Sequence, residues 1–386
     1  MNKWIKQEKL IYGLILGLVV IVISLIQVSA HTDAYEPTGY NHTKYNNYVI
    51  FRNSFFHLID NKDLYTAHRD VQFDLYKYSP TFALAMAPMA VLPDWLGLMV
   101  WNALNAFVLL FALMKIPMHN SKARWLMMGF VLLELVTSIQ NAQSNALIAG
   151  LIIWAWHFLE KGKNGWAALM IVLTVYIKIF GVFAFVLFLF YPNKWRSFLA
   201  SAWWSLILLV LPLIAVSLEQ LTFLYQSWWH LLQNDHSISY GLSMAGWLHS
   251  WFGFEGKTLI IAIGLVLFVL PLIQVKRYTE PFFKLLYLSM VLVWIVIFNH
   301  KAESPTFVIA ASGVAIWYFV QEKNKVNMIL MILALFFTLL APTDIYPRAW
   351  RNEFFTPYVI KALPIIAIWV KMNFDYWKDA KLPFLR

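Results

Sequence analysis

Residues 10–30 read LIYGLILGLVVIVISLIQVSA, an unbroken apolar run preceded by Lys3, Lys6 and Lys9. A membrane β-strand would alternate apolar and polar residues over about ten positions, and this run is too long and too uniform for that. As a helix rising about 1.5 Å per residue it reaches across the roughly 30 Å hydrocarbon core of a bilayer. Val28-Ser29-Ala30 resembles a small-residue cleavage site. However, an apolar core of about 20 residues exceeds the 7–15 of a signal peptide, so a retained first helix is expected.

The rest of the chain has the same character. Hydrophobic residues make up 61% and charged residues 13% of the 386 positions, against roughly 45–50% and 25% in soluble domains. With no water in the bilayer core to satisfy backbone groups, such a chain folds as helices, and an all-α polytopic membrane protein is expected. A net charge of +10 in a soluble protein would suggest nucleic acid. Here the Lys and Arg residues sit in short connections between apolar runs, which is how the cytoplasmic side of a membrane protein is marked, and no nucleic-acid partner is expected. Cysteine is absent, so disulfides and thiolate metal sites are excluded.

Basic residues cluster at Lys115, Lys122 and Arg124; Lys161 and Lys163; Lys194 and Arg196; Lys276 and Arg277; Lys323 and Lys325; and Lys371, Lys378, Lys381 and Arg386. Apolar segments lie between them at about 124–138, 145–159, 166–177, 179–191, 198–217, 257–275, 282–298, 305–320, 327–341 and 357–371. Residues 81–92, interrupted by Pro88 and closed by Pro93, are too short to cross and read as a half-span, counted with 95–116 as one net crossing. This gives a bundle of roughly 11–13 crossings with both termini cytoplasmic. The chain is expected to form one integral membrane domain in a bacterial inner (plasma) membrane, in contact with membrane lipids. The outer face carries a charged loop at 31–80 and a second, amphipathic loop at 218–256, where Trp228, Trp229, Trp247 and Trp251 stand among His230, Asp235, His236 and His249.

Candidate chemistry concentrates on that face. The first loop holds Asp33, Glu36, Asp60, Asp63, Asp70 and Asp74 and ends in Tyr76-Lys77-Tyr78-Ser79-Pro80. Lys178, between two apolar segments, suits a phosphate or pyrophosphate contact, and equally a lysine reaching for the interface. Glu134 lies at a comparable depth and is a candidate partner for it, since intramembrane charges pair. The turn from Thr137 to Asn145, with Gln140, Asn141, Gln143 and Ser144, is dense in groups that bond sugar hydroxyls or phosphate and that also cap helices. Asn299-His300-Lys301-Ala302-Glu303-Ser304-Pro305 places three ionisable groups at the mouth of a span. Arg348 and Arg351 among aromatics fit an interfacial belt. No HExxH motif, glycine-rich phosphate loop or serine nucleophile elbow occurs.

Taken together, Asn47-Tyr48-Val49-Ile50-Phe51, Asp63-Leu64-Tyr65, Tyr76-Lys77-Tyr78-Ser79-Pro80-Thr81-Phe82-Ala83-Leu84 and Ala87-Pro88-Met89-Ala90-Val91-Leu92-Pro93 resemble glycosyltransferase family 87. These are membrane mannosyltransferase-like proteins of the GT-C superfamily. Gln143-Ser144-Asn145 is similar to the family's Gly-Gln-x-Asn turn, and Lys178 falls where the family has a lysine. The resemblance covers about the first 200 residues well; beyond them only Ser243 within Gly241-Leu242-Ser243 is similar to a family element.

The resemblance implies a GT-C-like bundle and a polyprenyl-phosphate sugar donor, with a hexose, mannose-like, passed to a glycolipid or glycan acceptor. It further implies that an outer-loop aspartate deprotonates the acceptor hydroxyl while cationic groups stabilise the leaving phosphate, with a divalent metal as an open possibility. The position matching that aspartate is Asn47, and an amide takes no proton. The expected replacement is Asp74, ahead of Asp70, Asp63 and Asp33. Asn47, Lys77, Tyr78, Gln143, Asn145, Lys178, Lys301 and Glu303 are expected to bind substrate. Two other functions stay open. A transporter or flippase of lipid-linked sugars would be expected to show paired half-helices or charges through the bilayer centre, and an inactive lipid-binding paralogue would account for Asn47.

Overall fold

The computed structural model describes residues 3–30, 34–35, 40–41, 43–234 and 239–377. Asp33, Glu36, Asp235, His236, Lys378, Lys381 and Arg386 lie outside these. Among the described residues the chain is helical apart from two-residue strands β1 (Ala34–Tyr35) and β2 (Tyr40–Asn41), paired antiparallel with Ala34 opposite Asn41.

The helices in order are α1 (Lys3–Ser29), α2 (Asn46–Ile59), α3 (Pro80–Ala85), α4 (Ala87–Ala90), α5 (Asp94–Leu113), α6 (Ser121–Gln140), α7 (Asn145–Glu160) and α8 (Asn164–Ile177). A twelve-residue 3₁₀ helix (Ile179–Phe190) follows, then α9 (Lys194–Val210), α10 (Leu218–Asn234), α11 (Met244–Phe252) and α12 (Lys257–Val269). The chain closes with α13 (Pro281–Ile297), α14 (Phe307–Phe319), α15 (Lys325–Ala334), α16 (Arg348–Trp350) and α17 (Leu363–Asp375).

Among the described residues four helical stretches are long and apolar enough to cross a bilayer alone, namely Glu8–Ser29, Asp94–Leu113, Ser121–Gln140 and Lys194–Ile214. Further apolar helices run 10–17 residues. A 16-residue α-helix rises about 24 Å, short of the roughly 30 Å core. The 3₁₀ helix gains about 2.0 Å per residue, so its twelve residues reach about the same height as α7.

Burial separates an inner and an outer layer. Every residue from Leu285 to Ile297 of α13 is buried, and α14 packs beside it with little exposed surface. Gly313 permits that contact, because a Cβ there would sit 2.7 Å from the Ser289 carbonyl oxygen. On the outside, α1 exposes Leu10, Leu14, Leu18 and Ile26, α9 exposes Trp195, Leu199, Trp203 and Leu206, and α12 exposes Leu259, Ile263 and Val266. Apolar stripes of this extent require a nonaqueous neighbour, which makes the chain a membrane protein.

Polar contacts align the helix ends. Near its start α1 meets α6, with Ser121 Oγ hydrogen-bonded to Glu8. At its other end Gln27 Nε2 donates to the carbonyls of Ile139 and Gln140, at 3.2 and 2.9 Å. Thus α1 and α6 run parallel. Asn102 of α5 donates to Ser24 and Gln27 at 3.0 and 3.1 Å, and Arg52 pairs with Asp94 at 3.0 Å, so the start of α5 and helix α2 belong to the end marked by Gln27.

Candidate functional site

Three connections meet at that end. The first is the segment before α3. Ser79 has an extended backbone and its Oγ accepts the Phe82 N–H at 3.1 Å, capping α3, while donating to the Tyr176 carbonyl at 2.6 Å. One hydroxyl therefore starts α3 and staples it to the last turn of α8. Tyr65 Oη donates to the Tyr78 carbonyl at 2.9 Å, and the Tyr78 ring stands edge-on to Phe51 at 5.0 Å.

The second is the α6–α7 turn. Ala142 adopts a left-handed φ of 48°, and its carbonyl accepts Trp101 Nε1 at 2.9 Å. Asn47 Nδ2 donates to the Asn141 carbonyl at 2.9 Å, tying α2 to the same turn. The third is the break between α8 and the 3₁₀ helix. Lys178 is extended (φ −142°, ψ 124°), which ends α8, and the chain turns so closely that a Cβ at Gly181 would lie 2.2 Å from Thr174 Oγ1.

These three bring Lys178, Gln143, Asn145 and Tyr78 together. Lys178 Nζ donates to Asn145 Oδ1 at 2.8 Å and to Gln143 Oε1 at 3.3 Å. It also lies 5.8 Å and 5.9 Å from the ring centres of Tyr78 and Phe180. Asn145 is fully buried, and its Nδ2 has no acceptor among the described residues. The ammonium is thus held by neutral oxygens beside an unused amide donor, an arrangement whose chemistry suits an anion.

The connection 299–306 supplies an acid whose charge reaches this group. The negative charge of Glu303 acts on both Lys178 and Tyr78. Asp74 also acts on Tyr78, whose phenol is pushed above its ordinary range first by burial and then by Glu303 and Asp74. Leu242 N donates to the Ala302 carbonyl at 2.8 Å, so the turn before α11 backs this connection.

The other expected residues are distributed differently. Asp74 is exposed, with Oδ1 accepting the Leu75 N–H at 2.7 Å. Asp63 is engaged elsewhere: Ser227 Oγ donates to its carboxylate at 2.9 Å, and Oδ1 accepts the Tyr65 N–H at 3.0 Å. Asp70 is exposed and acts on His57. Lys77 is exposed and Lys301 half-buried, its N–H bonded to Asn299 Oδ1 at 2.9 Å. Asp33 lies outside the described residues.

One expected pairing is corrected. Glu134 does not meet Lys178; it is fully buried against Lys361 at 2.7 Å. Lys178 extends toward the α6–α7 turn, whereas Glu134 lies between one and two turns below the end of α6. Ser144, from the amide-rich turn, sits beside the Tyr78 phenol, whereas Lys361 was not singled out from sequence. A lysine inside the apolar segment 357–371 was the available signal for Lys361. Among the described residues no group of three or more His, Asp and Glu side chains is placed to hold a metal ion.

The family profile of glycosyltransferase family 87 matches residues 76–343, from Tyr76 through the α6–α7 turn, Lys178 and the 299–306 connection. The chain belongs to glycosyltransferase family 87. Membership extends well past residue 200, farther than the motifs alone reach, and it begins downstream of Asn47. The correspondence between Asn47 and the family's aspartate is therefore carried by the sequence motif and not by the matched region. Among functionally curated proteins, none matches the chain.

Proposed function

We propose that this family 87 glycosyltransferase moves a hexose, mannose-like, from a polyprenyl-phosphate donor to a glycolipid or glycan acceptor on the outer face of a bacterial inner membrane, as a bundle of roughly 11–13 crossings with cytoplasmic termini. The observation that carries this reading is Lys178, a lysine held by two amide oxygens with a buried amide donor beside it. Such a group offers a point charge and two N–H directions to a phosphate arriving at the membrane surface. Gln143, Asn145 and Tyr78 shape the pocket, and Lys77, Lys301 and Asn47 border it. The described residues of the loops 31–80 and 218–256 form its outer walls.

In the reaction the acceptor oxygen attacks the anomeric carbon as its proton passes to a carboxylate, and the bond from that carbon to the phosphate oxygen breaks. The electron pair leaves with the polyprenyl phosphate, where Lys178 meets the growing negative charge. Asp74 is the favoured proton acceptor: of Asp74, Asp70 and Asp63, it is the one whose charge acts on Tyr78. Asp33 completes the candidates.

The test uses the full chain in proteoliposomes with a labelled polyprenyl-phosphate hexose and candidate glycolipid acceptors. Transfer by the wild type, and its loss in Asp74→Asn with donor binding retained, are the expected results. Donor binding without transfer would instead identify an inactive lipid-binding paralogue. Movement of intact donor across the bilayer would identify a flippase.

A further inference from the structure

Lys361 stands where the chain bends by 80° between Arg348–Phe355 and Ile360–Asp375, two residues after Val359, whose left-handed φ of 54° belongs to that bend. Its ammonium is held on several sides. Nζ pairs with Glu134 of α6 at 2.7 Å, donates to Ser304 Oγ at 2.8 Å and lies 5.1 Å from the ring centre of Phe307. The Lys361 carbonyl in turn accepts Thr338 Oγ1 at 2.7 Å. The side chains of Glu134 and Lys361 are 0% and 6% exposed, and among the described residues Lys361 is the one ionic partner of Glu134.

Net stability is a weak explanation for such a pair. Taking both charges out of water costs several kcal/mol per ion, on the order of what their attraction returns, and apolar residues of similar volume serve stability equally well. A buried pair does fix geometry, and here the fixed object is Ser304. Ser304 follows Glu303, whose charge acts on Lys178 and Tyr78, and on the other side of Glu303 the Ala302 carbonyl is bonded to Leu242 N. Two anchors therefore bracket Glu303, one from the turn before α11 and one from the Glu134–Lys361 pair.

We propose that Glu134 and Lys361 are positioning residues: by pinning Ser304 they set where Glu303 stands beside Lys178 and Tyr78. This rests on the transferase reading only for its catalytic consequence, because the pinning itself has a separate readout. The chain contains no cysteine, so Ala302→Cys introduces a single thiol at a position 2% exposed. A membrane-impermeant maleimide reports how often that connection opens.

The decisive variant is Glu134→Leu with Lys361→Met, which removes both charges together and leaves neither buried alone. In the Ala302→Cys background it is expected to keep its thermal midpoint while the thiol reacts about ten-fold faster. Without the cysteine it is expected to lose about ten-fold in kcat, with donor KM within about two-fold, because Lys178 is untouched and only orientation has been lost. Should the double variant fail to fold, Ser304→Ala keeps the ion pair and removes its link to the connection. About three-fold changes in the same two readouts are then expected. Wild-type thiol reactivity in the folded double variant, or in Ser304→Ala where that variant decides, overturns the proposal, as does a faster thiol in an active enzyme whose kcat is unchanged. A faster thiol in a chain whose wild type transfers no sugar supports the pinning and refutes the transferase reading.

Discussion

Replacing Lys178 with Met keeps a long unbranched side chain and removes the charge. In the wild type Nζ has two neutral acceptors, Asn145 Oδ1 at 2.8 Å and Gln143 Oε1 at 3.3 Å. The variant leaves Asn145 Oδ1 without that donor at a fully buried position, which costs about 1–3 kcal/mol. It also removes the cost of burying an ammonium whose hydrogen-bond acceptors are neutral oxygens, so the two effects oppose and expression is expected to stay near normal. Donor binding has no such compensation. A charge-assisted hydrogen bond to phosphate contributes about 1.5–3 kcal/mol, or roughly ten- to a hundred-fold in donor affinity. Because negative charge grows on the leaving phosphate, kcat is expected to fall as well. Initial rates in proteoliposomes across a range of donor concentrations, with equilibrium donor binding alongside, measure both effects. A folded Lys178→Met protein with wild-type donor KM and kcat would refute the phosphate role and leave Lys178 as a lysine that only ties the α6–α7 turn to α8.

The remaining perturbations probe the scaffold around the pocket. His57 is buried with its ring centre 3.9 Å from that of His68, the two rings tilted, and burial first, then His68 and Lys62, lower its pKa from 6.5 to about 4 against the opposing pull of Asp70 and Asp60. The folded loop thus binds fewer protons than the unfolded one between those values, so acidification from pH 6.5 towards 4 removes on the order of 2 kcal/mol of stability, with no effect above 6.5; pH-dependent proteolysis of the loop, abolished in His57→Phe, checks this. Ala142→Gly relieves a left-handed residue by about 1–2 kcal/mol and gives back a buried methyl and chain entropy of similar size, so its thermal midpoint is expected to match the wild type, while Ala142→Val loses several kcal/mol. Asp63→Ala removes the acceptor of Ser227 and Tyr65 N–H, and faster hydrogen exchange across α10 is expected with α5 unchanged.

What sequence could and could not disclose follows from the range of each interaction. Membrane class was plain from 61% apolar composition, because a bilayer acts on every residue of a span at once. Lys178, Gln143, Asn145 and Tyr78 stood out as polar groups bordering apolar runs, and the family motif placed them in one site. Each sits in a turn that leaves a local trace, but their grouping is long-range, through contacts such as Ser79 bonded to Tyr176, and it was the family motif that announced it. The Glu134–Lys361 pair left only a charge inside each of two apolar segments, with nothing to say that the two meet. Its members are far apart in the chain, and Lys178 was an equally compatible partner for Glu134 in the pattern. The 3₁₀ helix Ile179–Phe190 was likewise hidden, since an all-apolar run of Ile, Phe, Val and Leu shows no period by which 3.0 could be told from 3.6 residues per turn.

Asn47 shows how a motif position changes meaning once its neighbours are known. Read against the family pattern it is a missing base, and restoring the acid would be the natural repair. In the structure its Nδ2 donates to the Asn141 carbonyl at 2.9 Å, which joins α2 to the turn carrying Gln143 and Asn145. A carboxylate has no proton to donate and would set a negative charge against that carbonyl oxygen. Asn47→Asp is therefore expected to lose the bond and add repulsion, costing about 1–3 kcal/mol locally and loosening the turn that holds Lys178. Transfer should fall several-fold with a raised donor KM. Asn47→Ala should fall less, since it loses the bond without the repulsion. The ordering of the two variants is the test, because an amide that merely fills space predicts no difference between them and a dormant catalytic position predicts a gain for aspartate. A rate above wild type in Asn47→Asp would return the proton transfer to residue 47 and displace Asp74.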